Sequence, residues 1–340
     1  MLEGKVPRQT LIVVPNWLGD AILALPAIEA LISHYHESKF VVVAPSGLAE
    51  LFIHHPGIKD VVGLDRGIGR LTALGLKLRG GSFQLAVIFP NSFRSALIPW
   101  LAGVPYRAGY RADCRSLLLT HPLARRNGWQ REHQSRYYSA LVAALGARVS
   151  AAAPARIYLG AEDERWAEEV LTQAGFWGKP LALINPGAAY GPAKRWFPSR
   201  YTELGGRLVK ELGAKVVVVG GRQDEYLAKS IAQDIGPGAI SLAGRTSLLQ
   251  LAALSRLARA FVTNDTGPMH VAAAAGASVI AVFGSTDPGK SAPLGHHVII
   301  REPLPCSPCF KRSCPYGYEC FQAIGAERVL EAVSRFFVKH

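Results

Sequence analysis

Two series of short apolar runs, with stretches long enough for helices between them, constrain this chain more than any other feature. The first series is Leu11 to Val14, Phe40 to Ala44, Val61 to Leu64 and Leu85 to Phe89. The second is Leu181 to Ile184, Val216 to Val219, Ala260 to Thr263 and Val279 to Phe283. Strands that are apolar at nearly every position must be covered on both faces, and alternation with helices builds parallel sheets that carry that cover. Between the series lies the Ala-rich segment Ala147 to Ile157 with Pro154, which reads as a linker. The expected fold is therefore α/β: two doubly wound Rossmann-like domains, residues 1–155 and 156–340, with ligands beyond the carboxyl ends of the strands. A helix from about Ala326 to Val338 closes the chain.

With 340 residues, each half can bury a core of its own, and 49% hydrophobic against 19% charged residues excludes a disordered chain. The longest low-polarity stretch, Val271 to Phe283, is broken by Gly276 and Ser278 and is too short to span a bilayer. Near the start only Leu11 to Val14 is apolar, with Asn16 and Asp20 close behind, which does not make a signal peptide. A cytoplasmic protein is expected. The formal net charge of +13 attracts acidic partners: nucleic acid, anionic lipid or phosphorylated small molecules. Its basic residues are dispersed, as in Arg94, Arg107, Arg111, Arg115, Arg125 and Arg136, and form no nucleic-acid module, so no nucleic-acid partner is expected.

Asn264-Asp265-Thr266-Gly267-Pro268-Met269-His270 joins an apolar run to an Ala-rich helical one, where a parallel strand hands over to a helix. The first amides of such a helix have no partner within it and lie at the positive end of its dipole, so they can receive phosphate oxygens. A plain helix cap at Asp265 or Thr266 is the alternative. His270 falls one turn in. Two nucleotide motifs fail. Gly67-Ile68-Gly69 has Thr72 where a dinucleotide fingerprint needs its third glycine. Gly284 to Ser291 spells a Walker A string after a strand, but Pro293 and Gly295 stop the helix that must begin at Lys290-Ser291, and Asp287 would bring a carboxylate toward the phosphates.

Three further loops carry chemistry at strand ends. Pro15-Asn16-Trp17-Leu18-Gly19-Asp20 places Asp20 where the first strand turns into the first helix. A carboxylate there can take a proton from a sugar hydroxyl if partial burial raises its pKa; capping the helix is the alternative role. Asn91, Ser92 and Arg94 in Pro90 to Ser95 offer hydrogen bonds and a guanidinium to a polar acceptor, or simply a loop turn and a helix cap. Asn185 to Trp196 carries Lys194 and Arg195 in a Gly- and Pro-rich loop that can bring Lys194 to a diphosphate. Two anion-seeking features in one half and a lone carboxylate in the other suit sugar transfer from a nucleotide diphosphate.

Taken together, Pro15 to Asp20, Pro90 to Leu97, Gly103 to Arg107, Pro186 to Ala188, Gly191 to Trp196 and Thr263 to Gly267 with His270 resemble the bacterial lipopolysaccharide heptosyltransferases. They span nearly the whole chain in the family's order, and the GPAKRW string favours the type II branch. The resemblance implies a GT-B-type fold with an interdomain cleft and an inverting transfer from ADP-L-glycero-D-manno-heptose, without metal or other cofactor. It implies as acceptor the first heptose of the inner core, on heptosyl-Kdo-lipid A at the inner leaflet. By position, Asp20 would deprotonate the 3-hydroxyl of that heptose, and Lys194 would contact the diphosphate. Asp265, Thr266, Gly267 and His270 would line the ADP site, with Thr246 on its adenine side and Asp224 or Glu225 near the ribose. Asn91, Ser92, Arg94, Arg107 and Arg111 are the expected acceptor-side residues.

Cys306, Cys309, Cys314 and Cys320 form a C-x2-C-x4-C-x5-C segment that matches no standard zinc ribbon or finger, so free thiols or a redox-labile pair are the expectation and a metal the alternative. Cys114 stands apart as a packing residue. Phe93, Leu97, Trp100, Leu101 and Val104 recur at helical spacing and read as core, the alternative being a peripheral patch on the cytoplasmic face of the inner membrane. Two rival functions stay open: a P-loop hydrolase on Gly284 to Ser291, and a non-catalytic basic adaptor for a membrane or polyanion.

Overall fold

A computed structural model describes residues 6–150 and 153–337. The chain forms two compact units divided between Tyr158 and Leu159. In the first, the strands β1 (Gln9–Val13), β2 (Lys39–Pro45), β3 (Ile58–Leu64), β4 (Leu85–Ile88), β5 (Tyr106–Tyr110) and β6 (His121–Leu123) make one sheet in the order β3-β2-β1-β4-β5-β6. In the second, β7 (Leu181–Asn185), β8 (Lys215–Val218), β9 (Ala239–Ser241), β10 (Ala260–Asn264), β11 (Val279–Phe283) and β12 (His297–Arg301) make another in the order β12-β11-β10-β7-β8-β9. All pairings are parallel. Read from β9, the second order is 3-2-1-4-5-6, the same as the first, so both units are doubly wound.

The apolar runs in β1, β2, β4, β7, β8, β10 and β11 are buried as their composition demands, whereas Val61 to Leu64 in β3, an edge strand, is only partly covered. Leu11, Ile12, Val42, Ala86, Val87 and Ile88 in the first sheet are inaccessible, as are Leu183, Val216, Val262 and Ile280 in the second. Each sheet packs on helices through a separate core, one around Leu11, Val43, Ala86, Ile98 and Val104, the other around Ile184, Trp196, Tyr201, Val218 and Val329. Burial of such side chains contributes about 1.5–3 kcal/mol each before the entropy of ordering is subtracted.

Besides β3, four strands escape the apolar-run reading in whole or part. β5 contains Arg107 and Gly109, β6 and β9 have only three residues and lie at sheet edges, and β12 begins with an exposed His297. Pro122 is tolerated because β6 is an edge. The final helix is Ala326–Ser334, four residues shorter than expected, and Val338 lies outside the described residues. So do residues 151–152 of the Ala147 to Ile157 segment.

In each sheet the strand order reverses direction between the first and fourth strands, so the loops that follow them diverge and leave a crevice at the carboxyl edge. The reversal lies between β1 and β4 in one unit, and between β7 and β10 in the other.

Candidate active site

Asp20 sits on the short helix Leu18–Leu23 that follows β1, and Trp17, not Asp20, is the residue that caps it. The Asp20 carboxylate instead accepts a hydrogen bond from Tyr138 Oη at 3.0 Å. Burial pushes its pKa above the ordinary carboxylate value, and the Tyr138 bond partly opposes that rise. A carboxylate so placed is a stronger base than one in water while remaining fixed in direction. Tyr138, buried against Phe89 with ring centroids 5.7 Å apart, was not apparent as a site residue; 118 positions separate it from Asp20, and no motif marks it.

The loop after β4 lies on the other side of the reversal. Ser92 caps the helix Phe93–Leu101, its Oγ accepting from Ser95 N at 3.3 Å, while Asn91 Oδ1 accepts from Tyr137 Oη at 2.9 Å. Ser92 and the exposed Arg94 line a cavity of about 480 Å³ together with Asn16, Trp17, Arg66 and Ile98. Thus the structure brings Ser92 and Arg94 to the loop that leads into Asp20. Arg111 is exposed just past the carboxyl end of β5.

Arg107 is not brought there. It faces Ala86 in the amino-terminal half of the paired strands, and its guanidinium donates to the carbonyls of Leu118, at 2.6 Å, and Val104. The stripe from Phe93 to Val104 divides: Val104 is core, Leu97 and Leu101 are half-buried, and Phe93 and Trp100 are exposed. The face that the helix buries is Ser95, Ala96, Ile98 and Pro99, because the helix runs on through the proline. Cys114, expected in packing, is exposed in a left-handed turn with φ +55°.

In the second unit, Asn264 at the end of β10 holds the neighbouring loop in place. Its Oδ1 accepts from Trp196 N and Tyr201 Oη, both at 2.9 Å, and its Nδ2 donates to Pro186 O at 2.8 Å. The Pro186 to Trp196 loop is thereby fixed beside Asp265. Lys194 Nζ lies 2.5 Å from Asp265 Oδ2, and Thr286 Oγ1 donates to the same oxygen at 2.5 Å. Asp265 is 4% exposed, so this shared carboxylate is a buried anchor that aims the Lys194 ammonium. In the sequence Thr286 stands out only as a member of the failed Walker-like string.

Thr266 is the cap residue of the helix Gly267–Ala274 and makes no side-chain capping bond. Gly267 begins the helix, and His270 is buried on it. Asp224 is also buried and accepts from Gly221 N at 3.2 Å, whereas Glu225 is exposed. Thr246 precedes Ser247, the cap of the helix Leu248–Leu257, and follows the edge strand β9. Lys194, Asp265, Thr266 and Gly267 therefore gather at the β7/β10 reversal, with Thr246 farther along the same carboxyl edge.

The Walker-like string is not a P-loop. Pro288–Ser291 is a four-residue helix that ends at the Lys-Ser pair, and Asp287 Oδ1 accepts the Gly289 amide at 2.9 Å, one of the donors a phosphate would need. Lys290 rests over the Phe310 ring at 5.0 Å. Cys306, Cys309, Cys314 and Cys320 are not joined in disulfides. Tyr316 N and Tyr318 N each donate to Cys314 Sγ at 3.4 Å, and burial with the neighbouring thiols pushes Cys320 up. Among the described residues, no three of these sulfurs lie within 4.8 Å of one another. No helix among the described residues is long and apolar enough to cross a membrane.

Comparison with known proteins gives a consistent result. Residues 71–319 match the family model for glycosyltransferase family 9 (heptosyltransferase). Lipopolysaccharide heptosyltransferase 2 of Escherichia coli K12 is 30% identical over 97% of this chain and 98% of its own length. The enzyme of the same name from Salmonella typhimurium is 31% identical over 84% of this chain and 85% of its own. The solved structure of E. coli ADP-heptose lps heptosyltransferase II superposes with a TM-score of 0.81 at 27% identity, covering 97% of this chain and 98% of that one. The two-Rossmann-unit fold is accordingly of the GT-B type.

Proposed function

The chain belongs to glycosyltransferase family 9, the heptosyltransferases, and from that premise we propose that it moves L-glycero-D-manno-heptose from ADP-heptose to the first heptose of the lipopolysaccharide inner core. The observation that carries this reading is the Asp20 carboxylate, held by Tyr138 at the carboxyl end of β1 and made more basic by burial. Asp20 takes the proton of the acceptor hydroxyl, the freed oxygen forms a bond to the anomeric carbon, and the bond from that carbon to the ADP oxygen breaks on the opposite face. Asp20 ends protonated, ADP leaves as the anion, and the anomeric configuration inverts.

On the donor side, Lys194 meets the charge that grows on the departing diphosphate, helped by the start of the helix Gly267–Ala274. Asp265 serves by aiming Lys194, since a carboxylate in direct contact with phosphate would be repelled. Glu225, exposed beside the buried Asp224, is the better placed of the two for a ribose. Ser92, Arg94 and Arg111 are assigned to the acceptor, an anionic lipid-linked sugar met at the cytoplasmic face of the inner membrane; Arg107 is not, because its guanidinium is already committed to two carbonyls.

The test is ADP release, followed without added metal, from ADP-heptose in the presence of an acceptor bearing one heptose. Release should require both substrates. A titration with ADP, UDP and GDP should favour adenine. Equal binding of the three, or release indifferent to the acceptor, would overturn the proposal.

A further inference from the structure

Beneath the acceptor-side loop lies a buried cation that the chemistry above does not use. Arg115 is 0% exposed, and every partner of its guanidinium is neutral. Nε donates to Tyr110 O at 2.8 Å; one terminal nitrogen donates to Pro90 O and to Ser95 Oγ, the latter at 3.3 Å; the other reaches Asn91 Oδ1 at 3.5 Å. Burial lowers its pKa to about 10, which leaves it charged at neutral pH. Asp113 acts on it only through space, and a desolvated charge with no anionic hydrogen-bond partner is costly, so its retention calls for a reason.

The surrounding backbone is shaped to admit it. At Gly109 a Cβ would stand 3.0 Å from the Arg115 terminal nitrogen and 3.2 Å from Ile88 O, so a side chain there would press on the guanidinium. Asp113 and Cys114, immediately before it, adopt φ of +43° and +55°. Two successive non-glycine residues in the left-handed region cost roughly 1–2 kcal/mol each, a strain that persists only where the surroundings hold it.

From Arg115 the contacts lead to the base. Asn91 Oδ1 also accepts from Tyr137 Oη at 2.9 Å, and Tyr137 stacks on Tyr110 with centroids 4.3 Å apart, while Tyr110 Oη donates to Tyr137 O at 2.8 Å. The next residue on that helix, Gln134–Ala143, is Tyr138, the hydrogen-bond donor to Asp20. We propose that Arg115 is a positioning residue for the acceptor half-reaction: its planar fork sets the Pro90 to Ser95 turn and, through Asn91 and Tyr137, the helix that presents Tyr138 to Asp20. Lysine cannot replace it, because one ammonium cannot donate along the separate directions that the guanidinium spans. The inference rests on the reading of Asp20 as base and of this loop as acceptor-binding.

The experiment compares Arg115→Lys with the unaltered full-length protein, using ADP-heptose and the mono-heptosylated acceptor. Expected are a fall in kcat/KM of roughly 10- to 100-fold, shared between a raised acceptor KM and a lowered kcat, an ADP affinity that does not change, and an acid limb of the pH profile that moves. A purely structural role would lower Tm yet leave acceptor KM and that limb at their original values in the folded protein, and that result overturns the proposal. If Arg115→Lys does not fold, Tyr137→Phe, which deletes one hydroxyl and keeps the stack, and Gly109→Ala decide by the same readouts. Asp20→Asn run alongside separates the two claims. If it keeps its turnover the base assignment is lost, whereas an unchanged Arg115→Lys beside an inactive Asp20→Asn removes only the positioning role.

Discussion

Replacing Asp20 by Asn should lower turnover and raise stability at once, as replacement of a buried functional charge does. Asn has the shape of Asp, and its carbonyl oxygen can still accept from Tyr138, whose bond to Asp20 is 3.0 Å long. Geometry is therefore kept while the proton acceptor is lost. General-base catalysis is worth about 10²- to 10⁴-fold, or about 3–5 kcal/mol of barrier at about 1.4 kcal/mol per decade, and kcat should fall by that factor while ADP affinity holds. Stability moves the other way because burial is the larger influence on Asp20 and the Tyr138 bond offsets it only in part.

A carboxyl whose folded pKa lies above its unfolded value binds more protons folded than unfolded, so stability declines as pH rises from the ordinary aspartate value of 3.8 through the raised folded pKa. Above that window the wild type carries a buried charge that the Asn variant lacks. Thermal unfolding followed by circular dichroism should give the variant the higher Tm at neutral pH, and the difference should vanish as pH falls below 3.8. Near-normal turnover in Asp20→Asn would refute its role as base; a lower Tm at neutral pH would refute the burial argument, whatever the activity.

Tyr138→Phe removes the bond that holds the Asp20 pKa down, so the acid limb of kcat/KM against pH should move to higher pH with the plateau largely kept; an unmoved limb would disconnect Tyr138 from the base. Lys194→Ala should slow transfer by about 10²- to 10³-fold, as loss of a preorganised donor to a developing anion does, and should destabilise the protein by up to about 3 kcal/mol by leaving Asp265 without its cation. Adding Asp265→Asn to that variant should return most of the lost Tm in a thermal melt and none of the rate. Gly187→Ala would set a Cβ 2.3 Å from Asp224 Oδ2, so either the Asp224 carboxylate or the Pro186 to Trp196 loop must shift; a loss of about 1–3 kcal/mol in denaturant unfolding and weaker ADP binding by calorimetry are expected.

Much of the fold is written locally. The all-apolar runs that become β1, β2, β4, β7, β8, β10 and β11 leave a buried parallel strand as the economical outcome, and Gly, Pro and Asn mark where each one ends. Edge strands were less legible because half of their pairing potential is unused: β6 and β9 need only three residues each and show no run at all. Helix ends followed local chemistry only in part. The Phe93–Leu101 helix passes through Pro99 although the ring removes an amide donor, because the burial of Ala96 and Ile98 on the same helix outweighs that loss.

Sequence by itself determined the two series of parallel strands, the family resemblance and the polar residues that follow β1, β4, β7 and β10. It did so because burial of continuous apolar runs and the polarity of strand-end loops are properties of neighbouring residues. Tertiary structure alone decided that Tyr138 holds Asp20, that Asp265 is shared by Lys194 and Thr286, that Arg107 is spent on Leu118 and Val104, and that Arg115 lies under Asn91. Each of these depends on the direction of a side chain at the end of a strand and, Val104 apart, on partners 11 to 118 residues away, a matter of how packed elements meet rather than of what stands beside them in the chain.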